Sequence, residues 1–144
     1  MAKVVLYDTT LRDGAQSEGI SFSVVDKLNI ARKLDELGIH YIEGGWPGSN
    51  PKDAEFFEKA GKLKLKHAQV VVFGSTRRVG AKAEEDNFLT LLVKSGAKVA
   101  TIVGKGSDLQ VLNVLKTTLD ENLKMIADSI KYLKSHGMKV FWDV

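Results

Sequence analysis

The side chains best suited to chemistry lie in one short stretch near the start of the sequence. Residues 11–16 read LRDGAQ and follow the apolar run at residues 4–7. The guanidinium of Arg12 can hold a carbonyl or carboxylate oxygen, the carboxylate of Asp13 can bind a hard divalent cation, and Gly14 allows a sharp turn. Such a cluster at the carboxyl end of a strand indicates the active site of an α/β enzyme.

The elements that would position this stretch follow a repeating strand–helix pattern. Apolar runs of strand length alternate with segments of helical periodicity. The predicted strands cover residues 3–7, 41–43, 69–73, 97–103 and 139–142. The four predicted helices begin after Ser23, at Pro51, at Glu84 and after Thr118. We expect the buried helix faces to include Leu37, Leu91 and Leu123.

This pattern predicts an α/β fold of parallel β-α units with right-handed crossovers. Such units build either an open doubly wound sheet or a closed (β/α)8 TIM barrel. The loop after the first strand lacks GxGxxG, and the sequence has no GxxxxGK[ST] phosphate loop. Since a barrel takes about 250 residues, we expect a partial barrel with its first five strands and four helices. Val5 and Ile42 are predicted on its inner face.

Carboxylates recur where the predicted strands end. Glu43 ends the second strand and Asp143 the fifth, and parallel strands bring these ends to one face. Both are therefore predicted to bind substrate beside Arg12 and Asp13. Two simpler interpretations remain open: Arg12 and Asp13 could form a surface ion pair of little value, and Glu43 could accept hydrogen bonds from loop amides.

The other conspicuous side chains are expected to be less specific. Arg77 and Arg78 could meet the phosphates of a large cofactor, but exposed arginines usually bind nothing specific. Trp46 and Trp142 are predicted to pack rather than to stack on a ligand. The three histidines, His40, His67 and His136, lie near strand starts, away from the acidic cluster, so no histidine metal site is predicted.

Composition narrows the class of protein. The chain has 144 residues and a net charge of +3. It has no cysteine, which excludes a disulfide scaffold and a thiolate metal site. No apolar run near the start is long enough for a signal peptide or a membrane span. The lysine-rich stretch at residues 62–66 lacks interleaved aromatic side chains, so no nucleic-acid partner is expected. We expect a cytoplasmic protein.

Several segments resemble one enzyme family. Residues 6–17 (LYDTTLRDGAQS) closely resemble the first-strand signature of the 2-isopropylmalate, homocitrate and citramalate synthases. Residues 41–51 (YIEGGWPGSNP), 73–78 (FGSTRR) and 117–123 (TTLDENL) are similar to the citramalate synthase branch. The resemblance implies a metal-dependent TIM-barrel acyltransferase that condenses acetyl-CoA with a 2-oxo acid. For this branch the 2-oxo acid would be pyruvate, giving citramalate for isoleucine synthesis.

The resemblance also implies roles for individual residues. Asp13 would bind the divalent metal (Mg²⁺, Mn²⁺ or Zn²⁺), Arg12 would stabilise charge on the oxo group and the enolate, and Gln16 would share that catalytic pocket. A metal and a guanidinium aimed at the ketone oxygen suit carbon–carbon bond formation there. We expect loss of Arg12 or Asp13 to cost activity rather than stability.

The resemblance further implies that residues 1–144 are the N-terminal part of a single TIM-barrel catalytic domain. A catalytic Glu, a His-x-His pair, the second half of the barrel and a regulatory region would lie beyond them. On this interpretation the chain alone is inactive, a non-catalytic folding or assembly unit. Because five strands leave two sheet edges open, we expect a homo-oligomer.

Overall fold

The computed structural model describes residues 4–144, which form one parallel sheet with helices against it. The five strands pair in sequence order. They are β1 (Tyr7–Asp8), β2 (Tyr41–Gly45), β3 (Gln69–Ser75), β4 (Val99–Val103) and β5 (Lys139–Asp143). The helices are α1 (Val24–Glu36), α2 (Pro51–Ala60), α3 (Asn87–Lys94), α4 (Asp108–Gln110) and α5 (Leu119–Ser135). The predicted α/β class and parallel order are confirmed.

The sheet is strongly curled. A flat sheet with strands about 4.8 Å apart would hold β1 and β5 roughly 19 Å from each other. Instead the ring of Tyr7 in β1 lies edge-on to Phe141 in β5, with ring centroids 5.7 Å apart. Tyr41 of β2 packs against both rings, at 6.1 and 5.0 Å. The first and last strands therefore face each other across a concave surface, as in half of a TIM barrel, and the partial-barrel prediction is confirmed.

The two faces of the sheet carry different side chains. The convex face packs against the helices through a core that includes Ile42, Val72, Ala100, Phe56 and Leu92. Burying each large apolar side chain there contributes about 1.5–3 kcal/mol. The prediction that Ile42 lies on the inner face is wrong, because the alternation along β2 turns its neighbours Tyr41 and Glu43 inward instead.

The first strand is shorter than predicted. Lys3 lies outside the described residues, and the segment from Val4 to Leu6 is exposed and outside any strand. Pairing starts only at Tyr7, opposite Tyr41, because β2 itself begins there. Val5 is half-exposed and precedes β1, so its place on the inner face stays a prediction.

Helix starts follow the sequence signals more closely than helix faces do. Ser23 and Asp26 form the expected capping box of α1, and Asn50 caps α2. The third helix begins three residues later than predicted, because buried Asp86 accepts the first amide hydrogen bonds. Three leucines that were predicted to be buried are exposed: Leu37, Leu91 and Leu123. Leu37 lies just after the end of α1. In α3 and α5 the buried positions include Leu89 and Met125 instead.

Candidate active site

The loop after β1 is folded around one carbonyl oxygen. The amides of Arg12, Asp13 and Gly14 all donate to the Thr9 oxygen, over 2.9–3.1 Å. Leu11 is fully buried and anchors the loop in the core. A turn fixed at both points leaves the next side chain little freedom, so the loop delivers Arg12 to the concave face.

The Arg12 side chain is held from two sides. Its Nε donates to Glu43 Oε1 at 2.5 Å, and its guanidinium carbon lies 3.9 Å from the centroid of the Phe73 ring. Its Nη1 donates to Asp13 Oδ1 at 3.0 Å. Nη2 has no acceptor within residues 4–144. The guanidinium is therefore oriented and partly desolvated, and it keeps donor capacity for a ligand.

Glu43 is buried on the concave face, with 1% of its surface exposed. One carboxylate oxygen accepts from Arg12 and the other accepts a very short hydrogen bond from the hydroxyl of Tyr7. That hydroxyl also lies 2.6 Å from Oγ1 of Thr101. Glu43 thus binds two side chains here and not the loop amides that the simpler interpretation required.

Tyr7 and Thr101 complete this network, and neither was predicted from the sequence. Burial, followed by the hydrogen bond from Tyr7 to Glu43, raises the pKa of the Tyr7 phenol above its ordinary value. Tyr7 consequently remains a hydrogen-bond donor. The available signal was polar tips on residues of otherwise apolar strands, at positions that alternate onto one face of the sheet.

Asp13 differs from Glu43 in exposure. Its side chain is 62% exposed, and only Oδ1 has a protein partner. Within residues 4–144 no three His, Cys, Asp or Glu side chains are close enough to hold a metal ion together. The described residues therefore fit one carboxylate ligand of a hydrated divalent cation, which commonly keeps several waters, and not a complete protein cage.

A cavity of about 310 Å³ opens beside Arg12. Gln16, Trp46, Phe73 and Lys27 are among its lining residues. The Trp46 ring packs edge-on to Phe73, 5.9 Å away, which agrees with the predicted packing role. Gln16 lies in the same pocket as Arg12, as the resemblance implied, although it makes no side-chain hydrogen bond within the described chain.

A second buried ion pair, which was not predicted from the sequence, lies at the cavity wall. Lys27 contacts the Asp53 carboxylate and donates to the Gly44 oxygen at 2.8 Å, while the Trp46 amide donates to Asp53 at 2.9 Å. Gly45 has a φ of +141°, and a Cβ there would lie 2.4 Å from Asp53. Glycine is therefore required where β2 meets this pair.

Two further candidates lie apart from the Arg12 cluster. Asp143 ends β5 at the expected edge, but its side chain is exposed and contacts neither Arg12 nor Glu43. Arg77 was predicted to be exposed, and this is wrong: it is 4% exposed. Glu121 and Asp128 of α5 bind its guanidinium at 2.8 and 2.9 Å. Arg77 thus joins the loop after β3 to α5, and each of its guanidinium nitrogens already has an acceptor.

Comparison with known proteins agrees with the fold. The solved structure of a hydroxymethylglutaryl-CoA lyase from Pseudomonas aeruginosa matches with a TM-score of 0.71, over 97% of this chain and 45% of that chain, at 21% identity. Identity this low is evidence for the fold alone. No helix within residues 4–144 is long and apolar enough to cross a membrane.

Comparison of sequences identifies the family. The (R)-citramalate synthase of Streptomyces coelicolor is 57% identical over 139 residues, 96% of this chain and 26% of that protein. The 2-isopropylmalate synthase of Sulfolobus acidocaldarius is 38% identical over 96% of this chain and 34% of that protein. The chain thus spans about a quarter of the length of the citramalate synthases it matches. The resemblance found in the sequence is confirmed, and since the HMGL-like family model matches residues 3–143, the chain belongs to the HMGL-like family.

Proposed function

We propose that this chain supplies the first part of the active site of an enzyme that condenses acetyl-CoA, pyruvate and water to citramalate and CoA. The observation that carries the proposal is the Arg12 guanidinium, held by buried Glu43 and the Phe73 ring at the mouth of a cavity, with the Asp13 carboxylate exposed beside it. The 57% identity to a citramalate synthase supports the choice of substrates.

In this reaction the methyl carbon of the acetyl thioester forms a bond to the ketone carbon of the 2-oxo acid. Negative charge develops on the ketone oxygen, which finally takes a proton, and water releases CoA from the thioester. Arg12 would donate to that oxygen through the nitrogen that has no protein partner, in a site whose geometry is already set. Glu43 would bind substrate only indirectly, by orienting Arg12.

Asp13 would be one ligand of a divalent cation, Mg²⁺, Mn²⁺ or Zn²⁺. The cation would act as a Lewis acid on the substrate oxygens. Gln16 would line the cavity that receives the acetyl thioester, and Asp143 would approach the substrates from the opposite side of the concave face. With these roles, the chain would bind small molecules and would bind neither nucleic acid nor a membrane.

We further propose that residues 1–144 are the N-terminal part of a single TIM-barrel domain. The remaining metal ligands, the base that deprotonates the acetyl group and any regulatory region would belong to other parts of a longer polypeptide. Both edge strands, β1 and β5, have one neighbour each, so the isolated chain would associate with itself. Light scattering across a dilution series tests this; a monomer at high concentration contradicts it.

The experiment for the function uses a chimera in which this chain replaces the matching quarter of the Streptomyces coelicolor citramalate synthase. Acetyl-CoA-dependent thiol release is measured with pyruvate, 2-oxoisovalerate and 2-oxoglutarate, with Mg²⁺ or Mn²⁺ added. We expect pyruvate to be preferred. Preference for either of the other two acids would instead assign a 2-isopropylmalate or homocitrate synthase.

The unmodified 144-residue chain serves as the second arm. We expect no turnover from it, since the described residues offer one exposed carboxylate ligand beside Arg12 and no group of three side chains that could hold a metal ion. Turnover above background by this chain alone would contradict the proposal that it is a non-catalytic folding or assembly unit.

A further inference from the structure

The strand that precedes the Arg12 loop has few backbone hydrogen bonds to the rest of the sheet. β1 has two paired residues, Tyr7 and Asp8, and a single neighbouring strand. A two-residue ladder at a sheet edge opens easily. Yet the function proposed above needs the Arg12 guanidinium in one orientation, because misplacement by about 1 Å can cost about 10²-fold in rate.

Side chains make the connection that the ladder lacks. The Tyr7 hydroxyl lies between Glu43 of β2 and Thr101 of β4, so it connects β1 to both of these strands. β4 is paired on both sides, with β3 and β5, and Thr101 is 5% exposed. The branched side chain of Thr101 has few rotamers to choose from, which makes it a rigid end point.

The direction of the hydrogen bonds follows from the groups present. The carboxylate of Glu43 can only accept, so Tyr7 donates its proton to Glu43. The Thr101 hydroxyl must then donate to the Tyr7 oxygen. Arg12 donates to the other oxygen of Glu43. The chain runs from Thr101 through Tyr7 to Glu43, and each bond polarises the next.

We propose that Tyr7 is a positioning residue for Arg12, acting through Glu43. The inference rests on the proposed role of Arg12 in substrate binding. With Tyr7 in place, both oxygens of Glu43 are occupied and the carboxylate cannot rotate away from the Arg12 Nε. Without the hydroxyl, one buried oxygen loses its donor and the carboxylate turns toward other donors, taking the guanidinium with it.

The test measures hydrogen exchange and the ¹⁵N resonance of the Arg12 Nε–H in the 144-residue chain. Tyr7→Phe keeps the ring packed against Tyr41 and Phe141 and removes only the hydroxyl. We expect exchange to accelerate roughly threefold or more, the range for two residues in one hydrogen-bond network, and the resonance to shift. The control is Tyr41→Phe, whose hydroxyl binds Lys139 in the same aromatic cluster, and it should leave Arg12 unchanged.

Equal exchange rates in Tyr7→Phe and the unmodified chain would overturn the proposal. If Tyr7→Phe does not fold, Thr101→Val is used instead, since it removes the other partner of the Tyr7 hydroxyl; an unchanged Arg12 signal in that variant overturns it equally. The readout needs no turnover. An inactive chimera would refute the proposed function and leave this result standing.

Discussion

Arg12 follows β1 and Arg77 follows β3, two parallel strands separated by β2, yet the fold uses the two arginines differently. All three guanidinium nitrogens of Arg77 are occupied, by Asp128, Glu121 and the Arg78 carbonyl. Burial alone would lower the pKa of Arg77, but its hydrogen bonds to Glu121 and Asp128 raise it above the ordinary value. Arg12 has two nitrogens occupied, and its Nη2 has no acceptor within residues 4–144. A cavity lies beside each arginine. Spare donor capacity next to a cavity, rather than burial or partner charge, separates a candidate binding arginine from a structural one.

The largest expected effect concerns Asp13, the exposed carboxylate beside Arg12. In the chimera, Asp13→Asn should lower turnover by roughly 10²–10³-fold, because the amide binds a hard cation weakly and charge stabilisation is lost. The free energy of unfolding should change by less than about 0.5 kcal/mol, since the side chain is 62% exposed. Thiol-release kinetics and urea unfolding measure the two quantities; near-full activity and metal affinity would rule out the metal-ligand role.

The structural arginine should behave in the opposite way. Arg77→Ala in the 144-residue chain removes charged hydrogen bonds that join the loop after β3 to α5, and we expect a loss of about 2–3 kcal/mol in the free energy of unfolding. Its neighbour Arg78, 59% exposed, is the matched control. Arg78→Ala should cost less than about 1 kcal/mol. Similar losses in the two variants would contradict the assignment.

The loop that carries Arg77 should also respond to acid. Burial would raise the pKa of Asp86, but hydrogen bonds from the Arg78, Leu89 and Phe88 amides and the Arg78 side chain hold it below its ordinary value of 3.8. A lowered carboxyl pKa stabilises the fold above pH 4 and loses that contribution as pH falls through the folded-state pKa. Asp86→Asn keeps the helix cap without the charge. It should be about 1 kcal/mol less stable than the unmodified chain at neutral pH, and chemical unfolding should show this difference shrinking as the pH falls below 4.

The smallest expected effect concerns the aromatic rings that contact the guanidinium groups of Arg12 and Arg78. Phe73 lies 3.9 Å from Arg12 and Phe88 lies 5.8 Å from Arg78. A cation–π contact of about 1 kcal/mol predicts a roughly fivefold loss of turnover in the Phe73→Leu chimera. Phe88→Leu should leave turnover unchanged. Equal turnover losses in both variants would show that general repacking, not the ring under Arg12, is responsible.

The sequence predicted most of the fold because its signals are local. Capping residues such as Ser23 and Asn50, and the alternation of strand and helix patterns, depend on neighbours a few residues away. The length of β1 depends on which residues of β2 pair with it. The face of the sheet on which Ile42 lies depends on which residues of β2 point toward the helices. Those are tertiary choices that a short apolar run does not record.

The candidate site divides in the same way. Arg12, Asp13 and Gln16 lie in one short stretch and were found from it. Tyr7 and Thr101 are 94 positions apart and meet only because the sheet curls. One expectation is corrected by the structure. The Arg12 side chain is 18% exposed and pairs with buried Glu43 of the adjacent strand β2, so its complete removal would cost stability as well as activity.

The central claim is that spare donor capacity makes Arg12, and not Arg77, part of the active site. The most direct measurement is the turnover number with pyruvate for Arg12→Lys and Arg77→Lys, made in the same chimera. Lysine keeps the charge but loses the planar fork in both. We expect Arg12→Lys to lose turnover by roughly 10²–10³-fold and Arg77→Lys to stay within about threefold of the unmodified chimera. Equal losses, or a larger loss for Arg77→Lys, would contradict it.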